Sequence, residues 1–333
     1  MSDATFTVQF AGPLVSVQDA GRPGNMRFGV AASGPMDRIA FAAAHAALGN
    51  PAGIGALEVS LGGLVLHCTG GAVTLCITGG DFSVEHAGRK TTSWTTLTIA
   101  KGEKLAIRAG KSGSWAYVAF CGDLQSDRWL GRQATHAPSG FGGGALHAGQ
   151  SLVVADANVR AARVGAVARP NFAADGPIRV VTGPQDHHFA KTALEQFLTQ
   201  PFTLTDAYDR MGMRLKGPEL QLDNALSIPS EPVVRGSVQV SGDGVATVLL
   251  ADHQTTGGYP KIATVISIDT DRIAQFRAAQ AVRFTPVTSQ QAIQAVRQFT
   301  TLKQQYLAEI SIARGTLDQR LMRENLIHTG PYE

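Results

Sequence analysis

LVLHCTGGAVTLCI, residues 64–77, carries the pattern from which the architecture follows. Two short apolar runs, Leu64–Leu66 and Val73–Ile77, flank Gly70-Gly71, a strand, turn and strand in which the glycines accept backbone angles closed to other residues. The pattern continues outward. Leu97–Ile99, Leu105–Ile107, Trp115–Phe120 and Leu152–Val154 read as further strands, with turns at Lys101-Gly102-Glu103 and Ala109-Gly110-Lys111. Near the N-terminus Phe6, Val8 and Phe10 alternate with polar residues, the period of a half-buried strand. Strands this closely spaced, joined by glycine turns, predict a barrel or sandwich and not alternating strand–helix units. One helix interrupts them over Met36–Leu48, preceded by Ser33-Gly34-Pro35 and stopped by Gly49-Asn50-Pro51.

Around Arg163–Pro177 the chain turns rich in Ala, Gly and Pro without a period, which marks a domain boundary. A second cycle of the same plan follows: a strand at Ile178–Val181, a helix near Phe189–Leu198, and strands at Val238–Val240, Val245–Leu250, Ala263–Ile268 and Ala281–Val287. From Thr288 the apolar residues Ile293, Val296, Phe299, Leu302, Tyr306 and Ile310 recur every three or four positions, an amphipathic helix suited to packing on a barrel or on a second copy. Gly315 is a candidate break before another helical turn over Leu317–Leu326. The expected division is a β-rich domain over 1–165, a second over 175–290 and a helical tail over 291–333.

Length agrees with two domains, since 333 residues exceed the roughly 100–200 of one. Charge is sparse at 17%, and 29 Lys+Arg against 26 Asp+Glu leave a net +3. Without a basic run this gives no footprint for nucleic acid or an anionic membrane. No apolar stretch reaches the roughly 20 residues of a membrane helix, and Met1–Phe10 lacks the plan of a secretory signal. Cys68, Cys76 and Cys121, odd in number and without CxxC spacing, read as buried free thiols of a cytoplasmic protein.

DHQTTGGYPK, Asp252–Lys261, is the densest polar stretch and lies between two apolar strands. His253 titrates near neutrality and suits proton transfer. Lys261 suits a carboxylate, phosphate or carbonyl oxygen, and Gly257-Gly258 permits close backbone approach to a ligand. A hairpin or crossover loop with satisfied polar groups is the alternative. Val17–Asp37 adds Asp19, Arg22 and four glycines, with Arg22 suited to gripping an anion or else pairing with Asp19. In YDRMG, Tyr208–Gly212, Asp209 beside Arg210 reads as a structural ion pair, and SEPVVRGSVQV, Ser230–Val240, reads as a loop entering a strand. His187-His188 are adjacent and have no spaced third ligand, so no metal site is expected. Neither a P-loop nor a Rossmann fingerprint occurs.

ADHQTTGGYPKIATVI, Ala251–Ile266, resembles the signature of the allophanate hydrolase subunit 2 family, which includes the C-type subunit of 5-oxoprolinase and a part of the urea carboxylase carboxyltransferase domain. VQDAGRPG (Val17–Gly24), SGPMD (Ser33–Asp37), ALEVSLGG (Ala56–Gly63), YDRMGMRLKGP (Tyr208–Pro218) and SVQVSGDG (Ser237–Gly244) match further blocks in the family's order, so the resemblance spans nearly the whole chain. It implies a mainly β fold of two cyclophilin-like barrels with a few helices. It implies two partners, one of the allophanate hydrolase subunit 1 or 5-oxoprolinase B type and one of the 5-oxoprolinase A type. It also implies ATP-dependent opening of 5-oxoproline to glutamate, or transfer of a carboxyl group from carboxybiotin to urea or a related small amide. A third implied reading is a regulatory protein antagonising its subunit 1-type partner. Biotin would have to come from another protein, because no biotinyl-lysine segment is present. The residues expected to serve the amide chemistry are His253 for proton transfer, Lys261 for a carbonyl or phosphate oxygen, and Asp252 for orientation. Thr255, Thr256, Gly257, Gly258 and Tyr259 are expected to line the substrate or nucleotide, and Arg22 and Arg210 to meet a substrate carboxylate or ATP phosphates. Two departures from the family pattern stand out: Tyr208 replaces a serine, and Arg235 stands where many relatives have proline.

Overall fold

The computed structural model describes residues 2–172, 176–223 and 227–315. Its fold is mainly β, as the sequence predicts, and includes a nearly closed barrel sheet. In the first half an eleven-stranded sheet is built around two long antiparallel strands, Ala72–His86 and Lys104–Phe120. One continuous strand runs through Ala109-Gly110-Lys111, where a turn between two strands was expected. The glycine there serves a bulge. The register slips from Asp81↔Ser112 to Phe82↔Ala109, and a Cβ on Gly110 would lie 2.0 Å from the Asp81 carbonyl oxygen. A slip of this kind bends a strand. One end of Lys104–Phe120 pairs with Leu64–Gly70 and the other with Ala56–Ser60, curling the sheet round its core of Phe6, Leu57, Leu75, Phe82 and Val118.

Helix α1, Arg38–Leu48, lies against the long strands with Phe41, Ala44 and Leu48 buried. It starts two residues after the expected Met36 because Asp37 is the N-cap, its carboxylate accepting from Ile39 and Ala40 N–H. Gly49, left-handed at φ 65°, closes it.

The second half forms an eight-stranded sheet over a separate core containing Val180, Met213, Val238, Val248 and Ile262. Helix α2, Lys191–Thr199, matches the expected helix and seats Phe197 against Phe284, with ring centroids 4.5 Å apart. Two strands, Phe202–Tyr208 and Gly212–Lys216, and the short helix α3, Asp269–Ala274, were not expected from the sequence. The two sheets meet without a spacer: Met36 and Trp115 of the first half are buried in the second core.

Helix α4, Ser289–Ser311, begins at a capping box of Thr288 and Gln291 and returns to the first half, packing on α1. Its Tyr306 is buried in the first core, stacks edge-on against Phe172 and donates to the Ala168 carbonyl at 2.8 Å. The expected turn at Leu317–Leu326 lies outside the described residues. Among the described residues no helix is long and apolar enough to cross a membrane, and Cys68, Cys76 and Cys121 are free and buried.

Candidate functional site at the junction of the two sheets

Arg210 sits in the connection between strands Phe202–Tyr208 and Gly212–Lys216 and is almost fully buried. Its Nε and Nη2 donate to Asp252 Oδ2 and Oδ1 at 2.8 and 3.0 Å, Nη1 donates to Glu58 Oε1, and Nη2 also donates to the Gly34 carbonyl at 2.8 Å. Glu58 Oε2 in turn accepts from Tyr117 Oη and Met36 N, each at 2.8 Å. Burial opposes the Arg210 charge, but Asp252 and Glu58 overcome it and hold the guanidinium above its ordinary pKa. At Asp252 burial works against the charged carboxylate, and the pairing with Arg210 outweighs it, keeping the carboxyl below the usual range. Buried charges of this kind persist only when paired and hydrogen-bonded. The expected Asp209–Arg210 ion pair does not form. Asp209 instead folds back to accept Met211 and Gly212 N–H at 2.7 and 3.1 Å, a turn that aims Arg210 inward.

Arg22 is equally buried and quite differently satisfied. Its Nη2 donates to the Ala134 carbonyl and its guanidinium lies 4.8 Å from the Trp129 ring centroid. Its Nε and Nη1 have no hydrogen-bond partner among the described residues. Burial pulls its pKa down, against the attraction of Asp19 and Asp252. The alternative Arg22–Asp19 pair forms neither a hydrogen bond nor a salt bridge among the described residues; the two Asp19 oxygens accept Gly21 N and Gln133 N, both at 2.8 Å. Asp252 Oδ2 accepts Ala137 N at 3.1 Å, tying the second sheet to the segment that carries Trp129 and His136. Burial also lowers the pKa of His136, with Asp252 opposing.

The remaining loop residues divide between separate contacts. His253 is buried, its Nδ1 2.6 Å from the Gln254 carbonyl, and burial depresses its pKa. Thr255 accepts Val233 N through its carbonyl at 3.1 Å, Thr256–Gly257 pairs with Glu231–Pro232, and the Gly258 carbonyl accepts Ile228 N at 2.8 Å. A Cβ on Gly257 would lie 2.5 Å from Gln239 Nε2. Tyr259 is half exposed and lines an open cavity of about 400 Å³ with Gln239, Gln254, Asp209 and Arg214. Lys261 is buried, with Nζ 3.4 Å from Glu231 Oε2, and Gln185 bridges the pair by accepting Lys261 N and donating to Glu231. Asp252 thus joins the Arg210 network while Lys261 joins Glu231 and Gln185. Among the described residues no cluster of three or more His, Cys, Asp or Glu is placed to hold a metal.

Glu58 is the site residue that residue-by-residue reading missed. Its signal was a carboxylate within the apolar strand Ala-Leu-Glu-Val, a placement that demands a buried partner. Tyr208 and Arg235 share one role. Tyr208 Oη accepts from Trp115 Nε1 and donates to the Ala274 carbonyl. Arg235 donates to the Pro35 carbonyl at 2.9 Å and to that of Met36. Both tie the second sheet to the first.

The family model of the carboxyltransferase domain, subdomain A and B, matches residues 28–286. The chain is 31% identical to the 5-oxoprolinase C subunit of Haemophilus influenzae over 83% of its own length and 89% of that protein's. It is 30% identical to the 5-oxoprolinase C subunit of Escherichia coli, covering 86% of this chain and 92% of that one. The solved urea carboxylase of Kluyveromyces lactis superposes on 94% of the chain with a TM-score of 0.80 at 22% identity, which shows a shared fold, and the chain spans 30% of that protein.

Proposed function

This chain belongs to the carboxyltransferase domain, subdomain A and B, family, and from that membership we propose that it is the C-type subunit of an ATP-dependent 5-oxoprolinase. The observation that carries the reading is length: the chain runs along 89% and 92% of two C-type relatives at about 30% identity. In this reading it works in the cytoplasm in a complex with A-type and B-type partner proteins, and the complex opens the lactam of 5-oxoproline to glutamate.

Within this chain the Arg210–Asp252–Glu58 network sets the position of the loop that follows it. Asp252, held ionised, offers an acceptor to the amide nitrogen. His253, the next residue, kept neutral by the low pKa that burial imposes, takes a proton from the water that adds to the carbonyl carbon and returns it to the ring nitrogen as the C–N bond breaks. Lys261, oriented by Glu231, meets the carbonyl oxygen, with Thr255, Thr256, Gly257, Gly258 and Tyr259 along the approach. Arg210 is held by two carboxylates and Lys261 is paired with Glu231, so in this reading the ATP site is shared with the partner proteins.

The family's name favours one other reading, a carboxyltransferase that receives its carboxyl group from biotin carried by another protein. Co-purification with the A-type and B-type partners, followed by assay of ATP-dependent glutamate release from 5-oxoproline, separates the two. An assembled complex that releases no glutamate but carboxylates urea or a related amide in the presence of a biotinylated carrier would refute the first reading.

A further inference from the structure

Arg22 and Arg210 carry the same charge in the same junction and differ in what satisfies them. All three Arg210 nitrogens donate to protein oxygens. Among the described residues Arg22 has one protein acceptor and two nitrogens with none, although almost none of the residue reaches solvent. A buried cation short of acceptors is costly to maintain, and an arrangement that retains one is explained by a group that supplies the missing acceptors when bound. Nearby carboxylates do not supply them. Neither Asp19 nor Asp252 hydrogen-bonds to Arg22: the Asp19 oxygens accept Gly21 N and Gln133 N, and those of Asp252 accept Arg210 and Ala137 N. The Trp129 ring covers the guanidinium and shields it from water.

We propose that Arg22 is the anchor for the free carboxylate of the ligand, so that this site selects an acidic lactam over a neutral amide. The inference rests on the reading of the chain as part of a 5-oxoprolinase. Singly charged carboxylate, not phosphate, is the matching chemistry. Asp19, Asp252 and Glu58 set three negative charges against the two arginines, and a multiply charged group would meet more repulsion than one carboxylate. Arg22 is then a specificity residue, with Arg210 holding Asp252 in place behind it.

The test is calorimetric binding of 5-oxoproline, of 2-pyrrolidinone (the same ring without the carboxylate) and of inorganic phosphate to the full chain assembled with its partner proteins. Wild type should prefer 5-oxoproline. Arg22→Gln should weaken it roughly 10- to 100-fold, the scale of a lost charge-assisted contact, and leave 2-pyrrolidinone unchanged. Arg22→Lys, which keeps the charge, serves as a second variant should the first fail to fold, and should weaken 5-oxoproline selectively. Equal loss for both lactams, unchanged 5-oxoproline binding, or displacement of 5-oxoproline by phosphate would overturn the proposal. The functional reading is separable. Arg22-dependent binding of another small carboxylic acid by a complex that releases no glutamate keeps the carboxylate site and discards the 5-oxoprolinase. Glutamate release with an unchanged KM in Arg22→Gln discards the carboxylate site and keeps the enzyme.

Discussion

Arg210 and Asp252, 42 positions apart, meet side-on through two hydrogen bonds of 2.8 and 3.0 Å, and the Asp252 backbone N–H returns to the Arg210 carbonyl at 2.8 Å. The pair locks the start of the 252–261 loop to the turn that follows strand Phe202–Tyr208. Its third member, Glu58, comes from the other sheet.

Removing one member leaves the others charged and buried. Arg210→Met should cost about 3–5 kcal/mol in urea unfolding, and Glu58→Gln should cost less because it keeps the shape and an acceptor. The double variant Arg210→Met/Asp252→Asn should be less destabilised than the sum of its parts, since the stranded carboxylate is then neutral.

Asp37 gives the fold an acid-side signature. Burial, then the neighbouring Asp271, pushes its carboxyl up to about 6 from an ordinary 3.8. A carboxyl whose folded pKa is raised binds its proton more tightly in the native state, so its contribution is favourable below about pH 4 and is lost as pH rises to about 6. Asp37→Asn, which keeps a helix N-cap, should therefore gain on wild type by about 2–3 kcal/mol between pH 4 and pH 7. Denaturant melts at both values check the sign.

Tyr208 and Arg235 should matter to how the sheets hold together. Tyr208→Phe leaves Trp115 Nε1 and the Ala274 carbonyl without this partner, at about 1–3 kcal/mol. Arg235→Pro removes the donors to the Pro35 and Met36 carbonyls and should lower the melting temperature. Calorimetric scans of both variants test this, and an unchanged melting temperature would contradict it.

His253→Ala and Lys261→Ala should leave the complex assembled and reduce glutamate release by about 100-fold or more, the scale of a lost proton-transfer group. Size-exclusion chromatography reports assembly and a coupled assay reports turnover. Intact turnover in both variants would place the chemistry elsewhere.

Alternating apolar runs and glycine turns reveal strands in the residues themselves, because side-chain period and turn geometry are local properties. Thr288 with Gln291 marks the start of α4 just as locally. Phe202–Tyr208 escaped notice because its exposed half, Asp206 and Ala207, carries no apolar alternation. The long strand Lys104–Phe120 was divided in two because Gly110 reads as a turn, while its reason for being glycine is the Asp81 carbonyl on the neighbouring strand.

Neighbours a few residues apart therefore suffice to specify the β-rich class, the position of α1 and the set of polar loops among which a site had to lie. They do not distinguish two arginines of equal promise. Folding does: Arg210 is neutralised by Glu58 from one sheet and Asp252 from the other, while Arg22 keeps two nitrogens without acceptors among the described residues. Ion pairing and desolvation depend on distances across the fold, 152 positions along the chain for Arg210 and Glu58, and no local spacing encodes them.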